Sequence, residues 1–224
     1  AAGGPRTGVH SMGASKFTRA GNGFGETVLH LLPGFDTPAL RDGLQRLMRN
    51  VPTTDDSDVI EGYLTDASNT RGTADRLVMP RSTSEVAAVV THCQHHAIPL
   101  TVTAQRTSTT GGPVPSGGWL LSMEKMDRVH APDDVDGGVI LGAHQSELLH
   151  QGLYFPPDPT SRHECSVGAA IACNASGARS FRYGSTRPWV EAVEWVLPTG
   201  EVRWVDRNTP IPTEWPRVRW TEPG

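Results

Sequence analysis

The sequence predicts an α+β fold in which a few short strands and helices carry long functional loops. Three observations point there. Between Tyr63 and Asp206 short apolar runs alternate with turn signals, the pattern of a domain that mixes sheet and helix. The elements come in the order helix, strand, loop, strand and hairpin, which suits such a sheet better than a repeating strand-helix array. Finally, 24 Gly and 18 Pro make up nearly a fifth of the 224 residues while hydrophobic residues reach only 37%, so connecting segments carry much of the chain.

Residues 1–26 are Gly-rich without periodicity and read as a flexible N-terminal arm. Residues 27–59 form an N-terminal helical segment. Within it Thr37 is a candidate N-cap, Pro38 stands at the first helical position, and Leu40, Leu44, Leu47 and Met48 recur at helical spacing. Arg76 to Met79 reads as a strand. Ser82 and Glu85 make a capping box, followed by Val86, Val89, Val90, Cys93 and Ala97 on one helical face, and this helix should stop before Pro99. Ile98 to Thr103 and Trp119 to Met123 are apolar enough for strands and bracket the loop TAQRTSTTGGPVPSGG. Ala192 to Leu197 and Glu201 to Val205 flank Pro198-Thr199-Gly200 as a β-hairpin. The main domain therefore spans 60–206, and 207–224 reads as a linker or the beginning of another domain.

Charge and cysteine usage exclude several classes. Twenty basic against 24 acidic residues give a net charge of -4 with Arg scattered, so no nucleic-acid footprint is expected. No apolar run is long enough for a transmembrane segment, and the first 25 residues lack a signal-peptide apolar stretch. Cys93, Cys165 and Cys173 show no CxxC pair, which suggests neither a disulfide framework nor structural zinc. A cytoplasmic protein is expected, with a peripheral membrane association left open.

Two segments rich in small residues invite chemistry: Thr103 to Pro115, and Pro156 to Gly184. Small residues let backbone N–H groups approach an anion, and Ser, Thr and Asn add neutral donors, so such loops suit a pyrophosphate. The plainer reading is that small residues merely permit tight turns. Neither segment matches GxGxxG between strand and helix or GxxxxGK[ST], so a Rossmann or nucleotide-hydrolase reading has no direct support.

Those residues carry a resemblance. Tyr63-Leu-Thr-Asp66-Ala-Ser68, Met79-Pro-Arg-Ser-Thr-Ser-Glu85-Val, Ile98-Pro-Leu-Thr-Val and Thr107-Ser-Thr-Thr-Gly-Gly-Pro-Val-Pro115 follow one another in the order of the landmarks of a known family. Gly152-Leu-Tyr-Phe-Pro-Pro-Asp-Pro-Thr160, Ser166-Val-Gly168, Asn174-Ala-Ser-Gly177 and Arg182-Tyr-Gly-Ser-Thr-Arg187 continue the series. Together they resemble the FAD-binding (PCMH-type) domain of the vanillyl-alcohol oxidase family, nearest in motif to the D-lactate and glycolate dehydrogenases. The resemblance covers about residues 60 to 206.

The resemblance implies a PCMH-type domain of two α/β subdomains, with the substrate (cap) domain absent from this chain. It implies that Ala104, Gln105, Arg106, Thr107 and Ser108 wrap the FAD pyrophosphate while Gly111 and Gly112 let the loop close. It also places Pro157, Asp158 and Thr160 near the flavin; Ser166, Gly168, Ala169, Asn174, Ser176 and Gly177 along the ribityl chain and phosphates; and Tyr183, Gly184 and Val193 among the remaining contacts, Val193 beside the adenine. The implied activity is oxidation of a small 2-hydroxy acid by hydride transfer to flavin. Substrate-binding and catalytic groups would come from the second domain, so no residue here is assigned a catalytic role. Alternatives are an FAD-holding or electron-transfer subunit completed by a separate substrate-domain or electron-acceptor polypeptide, and a degenerate non-catalytic domain.

Departures from the pattern sharpen the expectations. Ala104-Gln105-Arg106 stands where many members are Gly-rich; Arg106 either pairs with phosphate or points to solvent. Ala169 replaces the second Gly of a usual pair, and Asp133 to Asp136 replaces an apolar strand. No His lies in residues 103–107, and Cys165 sits one residue too close to Val167-Gly168 to match bicovalent members, so non-covalent FAD is expected.

Other constellations have plainer readings. His92, Cys93, His95 and His96 carry metal-ligand types, yet Cys93 falls on the apolar face, so a solvated helix end is preferred and no metal is expected. His144, His150 and His163 could each supply a general base, with a structural role the stronger reading. Trp189, Trp195, Trp204, Trp215 and Trp220 suit core or interface packing better than a stacking surface. No GxSxG turn supports a hydrolase.

Overall fold

The computed structural model describes residues 38–210. The arm over 1–26, the Thr37 cap, Trp215 and Trp220 lie outside the described residues.

A four-stranded sheet organises the first half. Its strands are β1 (Thr53–Thr54), β2 (Arg76–Val78), β3 (Leu100–Thr103) and β4 (Trp119–Ser122), in the order β1-β2-β4-β3. β4 pairs in parallel with both β2 and β3, while β1 adds an antiparallel edge. Parallel pairing was not legible in the strand pattern. It arises because β2 and β3 are joined by a helical crossover and β4 inserts between them. The register aligns Leu77 with Leu120 and Val78 with Leu121, all fully buried. Period-two alternation then sends Leu77 and Leu120 to a cluster with Ile60 and Leu64 on one face. Val78 and Leu121 go to a cluster with Val51, Val86, Val89, Cys93 and Met126 on the other. With both faces covered, these strands read as unbroken apolar runs.

Helices close the two faces. α1 (Pro38–Asn50) brings Met48 to the larger cluster, so Met48 and Val51, both before residue 60, pack with the core of the sheet. α2 (Ser57–Glu61) buries Ile60 on the opposite side. α3 (Thr83–His95) starts at the expected N-cap: the Ser82 hydroxyl accepts from the Glu85 amide, while the Glu85 carboxylate accepts from the Arg81 amide at 2.7 Å, one residue before the Ser82 amide that a capping box would use. The helix ends with Ala97 at φ 53°, two residues before Pro99.

The second half is built on α4 (Leu141–His150), whose Leu141, His144 and Leu148 face inward. Leu141 and Leu148 pack with Val139, Phe155, Cys165, Val167 and Ala170, the last two on α5 (Val167–Ala172). A small antiparallel pair joins β5 (Val129–Ala131) to β6 (Asp134–Val135), so the middle two residues of the acidic stretch over 133–136 form a short strand despite the charge around them. The predicted hairpin is present as β7 (Ala192–Val196) and β8 (Val202–Asp206), preceded by the one-turn α6 (Ser180–Tyr183). Gly200, at φ 83°, sits against α3 so closely that a Cβ there would lie 1.9 Å from Thr91 Oγ1. Thr83 also donates to Glu194, so the hairpin is fastened along α3.

Candidate functional site

The 104–112 loop leaves the C-terminal end of β3, where parallel strands expose unpaired backbone groups. Arg106 adopts φ 56°. A left-handed residue between ordinary ones turns successive N–H groups to one side, the geometry of an anion-binding nest. The amides of Arg106, Thr107, Ser108 and Thr109 find no acceptor among the described residues. Beneath them Thr103 Oγ1 and Gln105 Oε1 are buried without a hydrogen-bond partner. Such orphaned groups are rare in a folded chain, and these two sit at the junction of β3 and the loop.

Asp66 holds the far end of this loop. Its carboxylate accepts from the Gly111 amide and the Ser68 amide, both at 2.9 Å, and from the Ser68 hydroxyl. Burial pushes the Asp66 carboxyl up, but hydrogen bonds from Ser68, the Gly111 amide and the Ser108 hydroxyl outweigh it and hold the pKa below the ordinary aspartate value. Gly111 takes φ 74°, and a Cβ on Gly112 would meet nothing nearer than 3.9 Å, so the loop stays open there.

The Arg106 side chain is held within the chain and does not simply point to solvent. Its guanidinium turns back to Ala104 O at 2.8 Å and Glu124 Oε1 at 2.7 Å, over the Tyr63 ring at 4.4 Å. Tyr63 in turn donates to Glu124 Oε2 at 2.9 Å. Burial first, then the Glu124 hydrogen bond and charge, raise the Tyr63 pKa, so the phenol stays protonated as a donor.

The second segment is tightly packed. Ser166 is fully buried and caps α5 by accepting from the Ala169 amide at 3.2 Å. The Gly168 amide donates to Gly137 O at 2.8 Å, and a Cβ on Gly168 would lie 2.7 Å from that same oxygen. Gly138 approaches Met123 O so closely that its Cβ would be 2.0 Å away. Met123 precedes Glu124, so the Gly137-Gly138 pair joins the α5 terminus to the turn that anchors Arg106. Sequence reading missed this joint. Its signal was a Gly-Gly pair directly after an acidic run, whereas the Glu124 partnership, long-range in sequence, left none.

Asn174 takes φ 46° and accepts the Arg187 amide on Oδ1 at 2.9 Å. Gly177 crosses Asp158 so closely that a Cβ would fall 1.6 Å from Asp158 O. The Asp158 carboxylate is paired with Arg162 and, at 3.4 Å, with Arg179. Pro157 is fully buried, its carbonyl accepting from Gln145, whereas Thr160 and Ser176 are exposed. Tyr183 packs edge-on against Tyr154 and Trp189, with Gly184 at φ 78° behind it, and Val193 is half-buried in β7 opposite Val205. The structure thus joins the 104–112 loop, Gly168 and Ala169 through the Met123–Glu124 turn, and separately clasps Asp158 to Gly177. A shallow cleft of about 300 Å³ shares Gly111 with the loop but is otherwise lined by residues not expected at the site, among them Arg71 and Ser116.

The remaining candidates have structural surroundings. His92 stacks on Trp119 at 5.2 Å, and among the described residues no group of three or more His, Cys, Asp or Glu could hold a metal ion. His144 is buried in α4, burial lowering its pKa, while His150 and His163 are exposed. Among the described residues no helix is long and apolar enough to cross a membrane.

Residues 74–206 match the family described as FAD binding domain. The chain belongs to this FAD-binding family. It is 41% identical over 133 residues to a D-lactate dehydrogenase of Anaerostipes hadrus, covering 56% of this chain and 28% of that protein. Identity is 32% over 135 residues to glycolate oxidase subunit GlcD of Bacillus subtilis, 57% of this chain and 29% of that one. A D-2-hydroxyglutarate dehydrogenase of Xanthomonas citri is 37% identical over 133 residues, 56% and 28%. The chain therefore spans under a third of the curated relatives it matches. Among solved structures, chitooligosaccharide oxidase aligns with TM-score 0.63 and 21% identity over 75% of this chain and 37% of that chain. An alkyldihydroxyacetonephosphate synthase aligns with TM-score 0.63 and 19% identity over 80% and 36%. These flavoenzyme likenesses show the expected PCMH-type FAD-binding fold.

Proposed function

We propose that this chain is the FAD-binding portion of an oxidoreductase that oxidises a small 2-hydroxy acid of the D-lactate or glycolate type. The observation that carries the reading is the 104–112 loop, where four successive amides without an acceptor among the described residues run from the left-handed Arg106, next to the buried, unpartnered Gln105 Oε1 and, at the end of β3, Thr103 Oγ1. A diphosphate would accept from those amides. Gly111 and Gly112 keep side chains out of its path, and Asp66 fixes the loop from behind. When bound, FAD supplies a two-electron acceptor for turning an alcohol into a carbonyl. The chain's own part is to grip, orient and leave one side open to substrate. The names of the similar dehydrogenases and oxidase subunit support a 2-hydroxy acid as that substrate.

FAD is held without a covalent bond in this reading. No histidine occupies 103–107, and Cys165 is buried, burial raising its thiol pKa above the usual range. Three free cysteines fit a reducing, cytoplasmic compartment. One of the similar proteins is itself described as a subunit, which favours, as a second reading, completion by a separate substrate-binding or electron-accepting polypeptide. Reconstituting the chain with FAD and then precipitating it with acid tests the cofactor claims: flavin in the supernatant supports them, and flavin in the pellet contradicts the non-covalent bond. Bleaching of the flavin bands by D-lactate or glycolate, with and without a candidate partner polypeptide, separates the two functional readings.

A further inference from the structure

Arg106 combines two features that rarely coincide. It is a long charged residue held at φ 56°, a conformation disfavoured for any residue with a Cβ, and its charged head points away from the nest that its own backbone forms. Three groups hold it there. The guanidinium donates to Ala104 O and Glu124 Oε1 and lies 4.4 Å above the Tyr63 ring. Glu124 binds Tyr63 through its other oxygen, so Arg106, Glu124 and Tyr63 close a ring of contacts. The ring is itself fixed at both ends: the Ser122 hydroxyl at the end of β4 accepts from the Glu124 amide, and the Arg106 carbonyl accepts from Ala67. The side chains of Arg106 and Glu124 are only 25% and 23% exposed, so their pairing is less screened than a surface ion pair.

We propose that Arg106, Glu124 and Tyr63 form a clamp that holds the left-handed turn of the phosphate loop in its binding shape, making Arg106 a positioning residue and not a phosphate ligand. The proposal rests on the FAD-binding reading above. The clamp replaces the conformational freedom that glycine would supply at residue 106 with a fastening from outside the loop. It pre-organises the amides of residues 106–109 before the ligand arrives, which lowers the ordering cost of binding.

Glycine at residue 106 should make the clamp unnecessary. Hydrogen exchange of the 104–112 peptide in the FAD-free protein, and FAD affinity by quenching of flavin fluorescence, are measured for wild type, Glu124→Gln, Arg106→Gly and the double variant. Thermal melts confirm that each is folded, and Tyr63→Phe provides a milder release. Glu124→Gln is expected to speed loop exchange and weaken FAD binding by about tenfold, the scale of one non-glycine residue no longer held in the left-handed region. Arg106→Gly should bind within about threefold of wild type, and adding Glu124→Gln to it should change nothing further. Loss of tenfold or more in Arg106→Gly, with Glu124→Gln neutral or tighter, would overturn the proposal and make Arg106 a phosphate ligand. Unchanged loop exchange in Glu124→Gln also overturns it. Absence of FAD binding by wild type would defeat the functional reading, while the exchange comparison would still decide the clamp.

Discussion

Replacing Gly177 by Ala puts a methyl 1.6 Å from Asp158 O, 2.4 Å from the Asp158 carbonyl carbon and 2.9 Å from Pro159 Cα. All three are backbone atoms, so no side chain can rotate away. Bringing the closest contact to the 3.0 Å below which real Cβ atoms essentially never lie requires the two backbones to separate by about 1.4 Å. The separation would strain the pairing of Asp158 with Arg162 and Arg179, and the hydrogen bond from the Gly177 amide to Ser180 at 2.8 Å. Overpacking of this kind costs about 3 kcal/mol, which for a domain of this size lowers Tm by about 6–12 °C. The assay is thermal unfolding of the FAD-free protein by circular dichroism. A Tm within about 2 °C of wild type would refute the close crossing of residues 158 and 177.

Three other perturbations follow from the same geometry. Asp66→Asn should destabilise the chain by about 2 kcal/mol near neutral pH, since a buried acceptor of several hydrogen bonds loses its charge. Because the folded Asp66 pKa is depressed, its contribution is fully present above the unfolded aspartate value and is lost as pH falls through the folded one. Denaturant titrations should therefore show wild type and Asp66→Asn converging in strong acid, and a gap that stays constant with pH would contradict this assignment. Ser166→Ala removes the side-chain cap of α5 and should cost about 1 kcal/mol in the same titration. Of the three thiols, burial pushes Cys93 to about 11 and Cys173 is exposed, so a disulfide reagent at mildly alkaline pH should label one thiol rapidly, and Cys173→Ser should abolish that phase.

Much of the fold was written in local pattern. The Ser82 cap of α3 and the Gly200 hairpin rest on contacts within a few residues, and the strands at residues 76–78 and 119–122 announce themselves by their apolar runs, which periodicity and turn chemistry report directly. The parallel register of β2, β4 and β3 depends on a crossover and an insertion, and a run such as Trp119-Leu-Leu-Ser carries no mark of its partner's direction. The site divides in the same way. Small residues at 104–112 and 174–177 advertised close backbone approach, but not what approaches: Gly177 meets Asp158, and Gly168 meets Gly137. Nor could sequence alone place Arg106, because its partners Glu124 and Tyr63 lie 18 and 43 positions away along the chain. Asp66, quoted only as a landmark, proves to be the residue that ties the loop down.

The most direct test of the central claim is calorimetric titration of FAD into the purified chain and its Gly112→Ala variant. A Cβ at residue 112 meets nothing nearer than 3.9 Å within the protein, so the substitution should leave FAD-free stability within about 0.5 kcal/mol of wild type. One FAD per wild-type chain is expected, with an affinity weakened on the order of tenfold in the variant, whose methyl would stand where the proposed diphosphate approaches the backbone. Failure of wild type to bind FAD, or equal affinity in the two proteins, would contradict that claim.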